Sequence, residues 1–265
     1  MKITALTSFC VDYFPDLEKV YVGGNSLNFA TQCKLLGNKD TSIIGAIGKD
    51  EFGQRIEDHL DRIAIPSSRM YKIDAPTASN KIFIDQHGDR YFKEDSWNGG
   101  AFNQFRLSED DWESLKGCHI VAMPAGDPNL EELLKRRNPN QLVVIDFLDY
   151  LGIDFIRQHI QAIDIAFLSG RESMLKDLQE LSAQTETLIV PTLGANGSIA
   201  FLKGQRHFQE AVVVDNIVDT TGCGDAFQAA FSIEWVKTKE IEQSLYAGAL
   251  AASKVLGFVG GVSQE

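Results

Sequence analysis

Short apolar, β-branched runs alternate along the chain with segments whose apolar residues recur at helical spacing. This alternation predicts βαβ units built on a mostly parallel sheet. Residues 3–9 read as the first strand and 41–47 as the second. Between them, 25–36 read as a helix with Phe29, Cys33 and Leu36 on one face, and Phe52, Ile56, Leu60 and Ile63 mark the next helix. Further strands are expected at 118–123, 142–146, 163–168 and 187–192, then a β-meander from Gly194 to Phe208. Two helices, 223–237 and 240–257, close the chain, and Ser108 with Asp111 has the form of a capping box.

One stretch breaks the rhythm. Lys81–Ile84 and Arg90–Phe92 flank Gln86-His87-Gly88-Asp89, the pattern of a hairpin with glycine at its turn. A hairpin has no place inside a parallel sheet, so a separate β-flap is expected. With no repeat or Pro-rich linker, residues 1–265 read as one α/β domain carrying a lid formed by about 12–23 and 78–97.

Charge changes the picture. The formal net charge of −12 argues against a nucleic-acid partner, which needs a basic face. No apolar run approaches the roughly 20 residues of a membrane span, and the N-terminus enters a strand pattern at once, so no membrane association is expected and the cytoplasm is the expected compartment. Cys10, Cys33, Cys118 and Cys223 are scattered without a C-x-x-C pair, which predicts free thiols rather than a disulfide framework or zinc site. An acidic chain that handles phosphate has to hold it locally, through backbone N–H groups and a bound cation.

The segment Asp219-Thr220-Thr221-Gly222-Cys223-Gly224-Asp225-Ala226-Phe227 meets that requirement. Small residues lead straight into an amphipathic helix, leaving N–H groups unpaired at its positive end. Asp225 falls in the first turn, where a carboxylate can take the proton of an attacking hydroxyl. A plain capped turn is the alternative reading. Upstream, Gly24 permits close backbone approach before a helix start, and Asn25 and Asn28 share a face three residues apart. Asp12 follows the first strand, where ligands gather in open α/β sheets. No G-x-x-x-x-G-K-[ST] occurs and no G-x-G-x-x-G follows a strand, which disfavours a P-loop protein and a dinucleotide oxidoreductase.

D-T-T-G-C-G-D-A-F resembles the second signature of the PfkB (ribokinase-like) carbohydrate kinases, with Cys223 where alanine is usual. The resemblance implies a three-layer fold with a mostly parallel central sheet flanked by helices, plus a small β-lid. It also implies a phosphotransferase that moves the γ-phosphate of ATP to an alcohol group. It makes Gly222, Cys223 and Gly224 an anion hole and Asp225 the catalytic base. Asp12, Gly24, Asn25 and Asn28 become the sugar-binding set, through the G-G-x-x-x-N element of Gly23 to Asn28. On the nucleotide side, Thr192, Gly194 and Gly197 match the T-x-G-x-x-G turn, Thr220 adjoins it, and Ser169 with Glu172 stands where the family has N-x-x-E. Glu172 is then expected to act on Mg2+ through water. Asp219 and Thr221 resemble residues beside a monovalent cation such as K+, with helix capping an equal reading. The small residues Ala247, Ala251, Ala252, Gly257, Gly260 and Gly261 would let the last helix approach an adenine, although tight helix packing accounts for them as well.

Two departures stand out. Ser169 replaces the usual Asn, and Gly37 to Gly48 encloses ten residues where the family pattern has nine. Within the family, C-V-D-x-x-P, G-G-N-x-x-N, S-x-x-E and T-L-G-x-N-G-S are similar to the branch that phosphorylates fructoselysine at its C6 hydroxyl. Glu94 and Asp95 near the flap would then attract the amine of that substrate. Fructose, ribose or a nucleoside are alternative acceptors, and a catalytically silent sugar- or nucleotide-binding regulator is the alternative from another class. Exposed hairpin edges invite pairing, so a homodimer through the lid is expected.

Overall fold

The computed structural model describes residues 1–84, 90–91, 93–149, 152–257 and 260–262. A nine-stranded sheet runs through the molecule. Its seven parallel strands are, from one edge, β5 (Met70–Ile73), β4 (Thr41–Gly48), β1 (Ile3–Leu6), β10 (Ile120–Pro124), β11 (Leu142–Asp146), β12 (Ile165–Ser169) and β13 (Leu188–Thr192). Antiparallel β14 (Ser198–Leu202) and β15 (Gln205–Gln209) finish the other edge. The 194–208 segment thus supplies the last two strands of an antiparallel β13–β14–β15 meander, as expected. Lys203 and Gly204 both take positive φ, the two-residue turn that matches strand twist.

Strands buried on both faces alternate their side chains between two cores. One face presents Ile3, Ala5, Ile43, Ile120, Val144, Phe167 and Val190 to the first helical layer. That layer comprises α1 (Asn25–Leu35), α2 (Glu51–Arg62), α8 (Cys223–Thr238) and α9 (Ile241–Val255). The opposite face presents Leu6, Ile44, Val121, Val143 and Leu168. Against it pack α3 (Gly100–Gln104), α4 (Glu109–Leu115), α5 (Leu130–Arg136), α6 (Ile153–His159) and α7 (Leu175–Ser182). The three-layer expectation is met. The rings of Phe227 and Phe231 on α8 meet Phe167 edge-on, which seats α8 firmly on β12. The capping box of α4 is also present, with Ser108 and Asp111 bonded reciprocally.

A second, smaller sheet has the order β3 (Lys19–Gly23), β2 (Cys10–Phe14), β6 (Ala78–Lys81), β9 (Trp97–Asn98). The strands β7 (Phe83–Ile84) and β8 (Arg90–Tyr91) pair separately as an antiparallel ribbon. The turn expected at Gln86–Asp89 lies outside the described residues. At the junction with the main sheet, Asp50 caps α2 through Gly53 N (2.8 Å) and also accepts from Thr77 N (2.7 Å) and Thr77 Oγ1 (2.6 Å).

Two expectations need correction. The first strand ends at Leu6, not Phe9, because Thr7 turns the chain with φ +68° and Cys10 enters the small sheet. Phe9 fills the core beside Gly45, where any Cβ would sit 2.2 Å from its ring. Leu36 lies beyond the last turn of α1 and is 43% exposed, so only Phe29 and Cys33 of the proposed face are buried. Among the described residues no helix is long and apolar enough to cross a membrane.

Candidate active site

The start of α8 is shaped by glycine. Gly222 takes φ +79° as the residue before the helix, and a Cβ there would lie 2.4 Å from the Cα of Gly261. Only glycine meets both demands. Asp219, buried, anchors the turn: Oδ1 accepts from Thr221 N (3.0 Å) and Thr221 Oγ1 (2.9 Å), while Oδ2 accepts from Gly260 N (2.8 Å). These contacts brace the turn ahead of α8 rather than cap it, since among the described residues no side chain accepts from the first amides of the helix. Gly224 is exposed, with open space around its Cα. Among the described residues, the backbone N–H groups of Gly224 and Asp225 donate to no protein acceptor. They stand at the positive end of a 16-residue helix.

Asp225 stands beside them and is held from α1. Its Oδ1 accepts from Asn25 Nδ2 (2.8 Å) and its Oδ2 from Asn28 Nδ2 (2.8 Å). Burial pushes its carboxyl well above the usual carboxylate range, and the charges of Asp146 and Asp12 push the same way against the two amide bonds. The expected pairing of Asn25 and Asn28 on one helical face is observed. Asn28 Oδ1 is buried with no protein partner among the described residues, close to Gly261, whose absent Cβ would lie 2.9 Å from it.

Two residues here escaped sequence reasoning. Asp146 ends β11, buried, and accepts from Asn25 Nδ2 (2.6 Å), Gln228 Nε2 (2.8 Å) and Leu148 N (2.9 Å). Gln228 lies three residues after Asp225 on α8. The available signal was position: an acid at the C-terminal end of a parallel strand, and a polar residue on the same helical face as Asp225.

Gly24, with φ +104°, opens α1 so closely against the preceding chain that a Cβ would meet the Ser8 carbonyl oxygen at 2.5 Å. Asp12 on β2 reaches over Gly23, whose absent Cβ would lie 3.2 Å from Asp12 Oδ2. Its charge contributes to the raised carboxyl of Asp225.

Ser169 and Thr192 end the neighbouring strands β12 and β13 in register. Both line one cavity together with Asp146, Leu148, Gly224 and Gln228. That opening joins the Asp225 network to the expected nucleotide side. Glu172, in a single 3-10 turn after β12, and Thr220 are exposed and do not line it. Neither do Gly194 and Gly197, whose φ values of +59° and +89° shape the turn after β13. Gly197 needs glycine for space too, since a Cβ would lie 2.2 Å from the Gln209 carbonyl oxygen. Of the small residues near the C-terminus, Ala251 packs with Ala226 and Ala230 of α8, in keeping with the helix-packing reading.

Residues 17–264 match the pfkB family carbohydrate kinases. The chain belongs to that family. It is accordingly a sugar kinase, a phosphotransferase with an alcohol group as acceptor. Among its relatives, the fructoselysine 6-kinase of Escherichia coli is 27% identical, with 95% of each chain covered. The fructosamine kinase FrlD of Bacillus subtilis is 28% identical over 98% of this chain and 92% of its own. The fold is that of ribokinase from Thermotoga maritima, at a TM-score of 0.82 and 20% identity, covering 98% of this chain and 94% of that one. Arabidopsis thaliana ribokinase complexed with ribose and ATP gives a TM-score of 0.82 at 22% identity, covering 98% and 93%.

Proposed function

We propose that this kinase transfers the γ-phosphoryl group of ATP to a primary hydroxyl of a fructose-like sugar, with fructoselysine and its 6-phosphate as the first substrate–product pair to test. The observation that carries the reading is Asp225, a desolvated carboxylate gripped by two asparagines beside free helix-start amides. In this reading the sugar oxygen attacks the γ-phosphorus, Asp225 takes the hydroxyl proton, and the bond from γ-phosphorus to the bridging oxygen breaks to release ADP. Of the turn expected to hold the phosphoryl group, the Cys223 amide donates to the Thr220 carbonyl, so the free amides of Gly224 and Asp225 would stabilise the charge on the passing group. Sugar hydroxyls would bond to Asp12, Asn25 and Asn28.

The residues present suit a nucleotide phosphate. The cavity offers donors from the Ser169 and Thr192 hydroxyls, the Gln228 amide and the bare backbone of Gly224, while the carboxylates of Asp146 and Asp149 in its lining call for a cation to offset their charge. Glu172 would hold Mg2+ through water, and the metal would neutralise phosphate charge in an acidic protein. Thr192, Gly194, Gly197 and Thr220 would border the nucleotide. A K+ beside Asp219 and Thr221 would share a carboxylate that already braces the turn. The small sheet would act as a lid. Its edge strands β3 and β9, with Trp97 at 47% exposed, suit pairing with a second copy in a homodimer. A cytoplasmic location fits this chemistry. Glu94 and Asp95, exposed in the turn before β9, would face the amine of the substrate.

The test is an ADP-release panel with fructoselysine, fructose, ribose and a nucleoside, run with the wild type and Asp225→Ala. The reading expects the highest kcat/KM with fructoselysine. Preference for ribose or a nucleoside would move the substrate assignment, whereas ligand binding without ADP from any sugar would make the chain a silent regulator.

A further inference from the structure

We propose that Asp146 is a positioning residue that locks the Asn25 side-chain amide in one orientation, so that its oxygen is presented to the sugar throughout turnover. Asn25 Nδ2 donates one hydrogen to Asp146 Oδ2 (2.6 Å) and the other to Asp225 Oδ1 (2.8 Å). With both acids ionised, as the base must be before it acts, rotating the amide by half a turn would set its oxygen against two carboxylate oxygens, leaving three acceptors and no donor between them. Both acids together therefore dictate which end of Asn25 faces the open side.

They differ in what turnover does to them. Asp225, read as the base, gains a proton when the sugar oxygen attacks, and its grip on Asn25 weakens at that moment. Asp146 has no such role. It is fixed by Gln228 Nε2 (2.8 Å) and Leu148 N (2.9 Å), and it accepts three hydrogen bonds while donating none, the pattern of a carboxylate. It keeps Asn25 in place while Asp225 changes charge. Gln228 ties this second acid, on β11, to the helix that carries the first.

The inference rests on Asp225 being the base, and the experiment separates the two. Asp146→Asn, Asn25→Ala and the double variant are compared by sugar KM, ATP KM and kcat. If Asp146 acts through Asn25, Asp146→Asn lowers kcat/KM for the sugar by roughly 10- to 100-fold. It moves the sugar KM more than the ATP KM, although Asp146 also lines the cavity read for the nucleotide phosphate, and the double variant is no worse than Asn25→Ala alone. A merely structural role would lower thermal stability and move both KM values alike. Losses that multiply in the double variant would overturn the inference. Should Asp146→Asn fail to fold, Gln228→Met removes one brace of Asp146, and its cycle with Asn25→Ala reads the same coupling. Retention of turnover by Asp225→Ala would instead sink the base assignment, whatever the cycle shows.

Discussion

The pocket around Asp225 and the nucleotide rim are built to different rules. In the pocket, polar side chains from α1, β11 and α8 are bonded to one another before any ligand arrives. At the rim, Glu172 and Thr220 are exposed, and shape comes from backbone turns at Gly194 and Gly197. The pocket has already met the cost of desolvating its acids, which is the preorganisation that electrostatic catalysis needs. In the proposed function the rim would receive a solvated polyanion that enters and leaves in every cycle, and loosely held groups suit that exchange. The contrast predicts that pocket substitutions act on kcat and rim substitutions on the nucleotide KM.

The largest effect belongs to Asp225. Asp225→Asn should lower kcat by roughly 10²- to 10⁴-fold, the range for a general base, while nucleotide binding survives in a calorimetric titration. It should also raise the melting temperature at pH 7. The folded carboxyl titrates above its unfolded value, so the fold favours the protonated form. That preference is fully present below the unfolded pKa and is lost as pH rises toward the folded pKa. Asparagine removes the charge that costs stability above this window, and its advantage over the wild type should vanish in acid. A variant that is less stable at pH 7 than at pH 4, relative to the wild type, would mean the carboxylate is a net stabiliser.

Gly222→Ala comes next. The left-handed backbone alone costs a non-glycine residue roughly 1–2 kcal/mol, and the new Cβ must displace Gly261. A lower melting temperature together with a fall in kcat of about 100-fold is expected, because the amides aimed at the phosphoryl group shift with the turn. Loss of stability with kcat intact would show that the turn does not shape the anion site. Glu172→Gln tests the rim. It should raise the Mg-ATP KM or lower kcat by about tenfold with no change in melting temperature, since Glu172 is exposed. A collapse of kcat as deep as that of Asp225→Asn would erase the distinction between the regions.

Much of this contrast could be read before any coordinates. The parallel strands declare themselves because both faces are buried, so Val143, Val144 and Ile145 run on without a polar gap. The glycines at 24 and 222 mark close backbone approaches that no other residue allows. The handover at Thr7 is invisible for the opposite reason. Phe9, Cys10 and Val11 continue an apolar run although the chain has changed sheets, and burial in either sheet looks the same in sequence. Asp146 and Gln228 are single polar residues inside apolar stretches. Their meaning lies in a meeting of β11 with α8, 82 positions apart in the chain, which no local pattern encodes.

Cys223 should show the smallest effect, and it is the sharpest test of what the anion site is made of. It stands where the family usually has alanine, half-buried against the small residues that join α8 to α9. Burial, reinforced by the charges of Asp219 and Asp225, pushes its thiol up to about 11. At neutral pH it is a protonated, weakly reactive group, and a thiol in that form is neither a nucleophile nor a metal ligand. If backbone amides do the work, Cys223→Ala removes one sulfur from beside them and changes little: kcat within about twofold, and stability within about 0.5 kcal/mol as for substitutions away from any structural device. Iodoacetamide should label the wild type slowly, and faster as pH approaches 11. A kcat that drops by orders of magnitude in Cys223→Ala would give the side chain a part in the chemistry, and the phosphoryl group could no longer be said to be held by main chain alone.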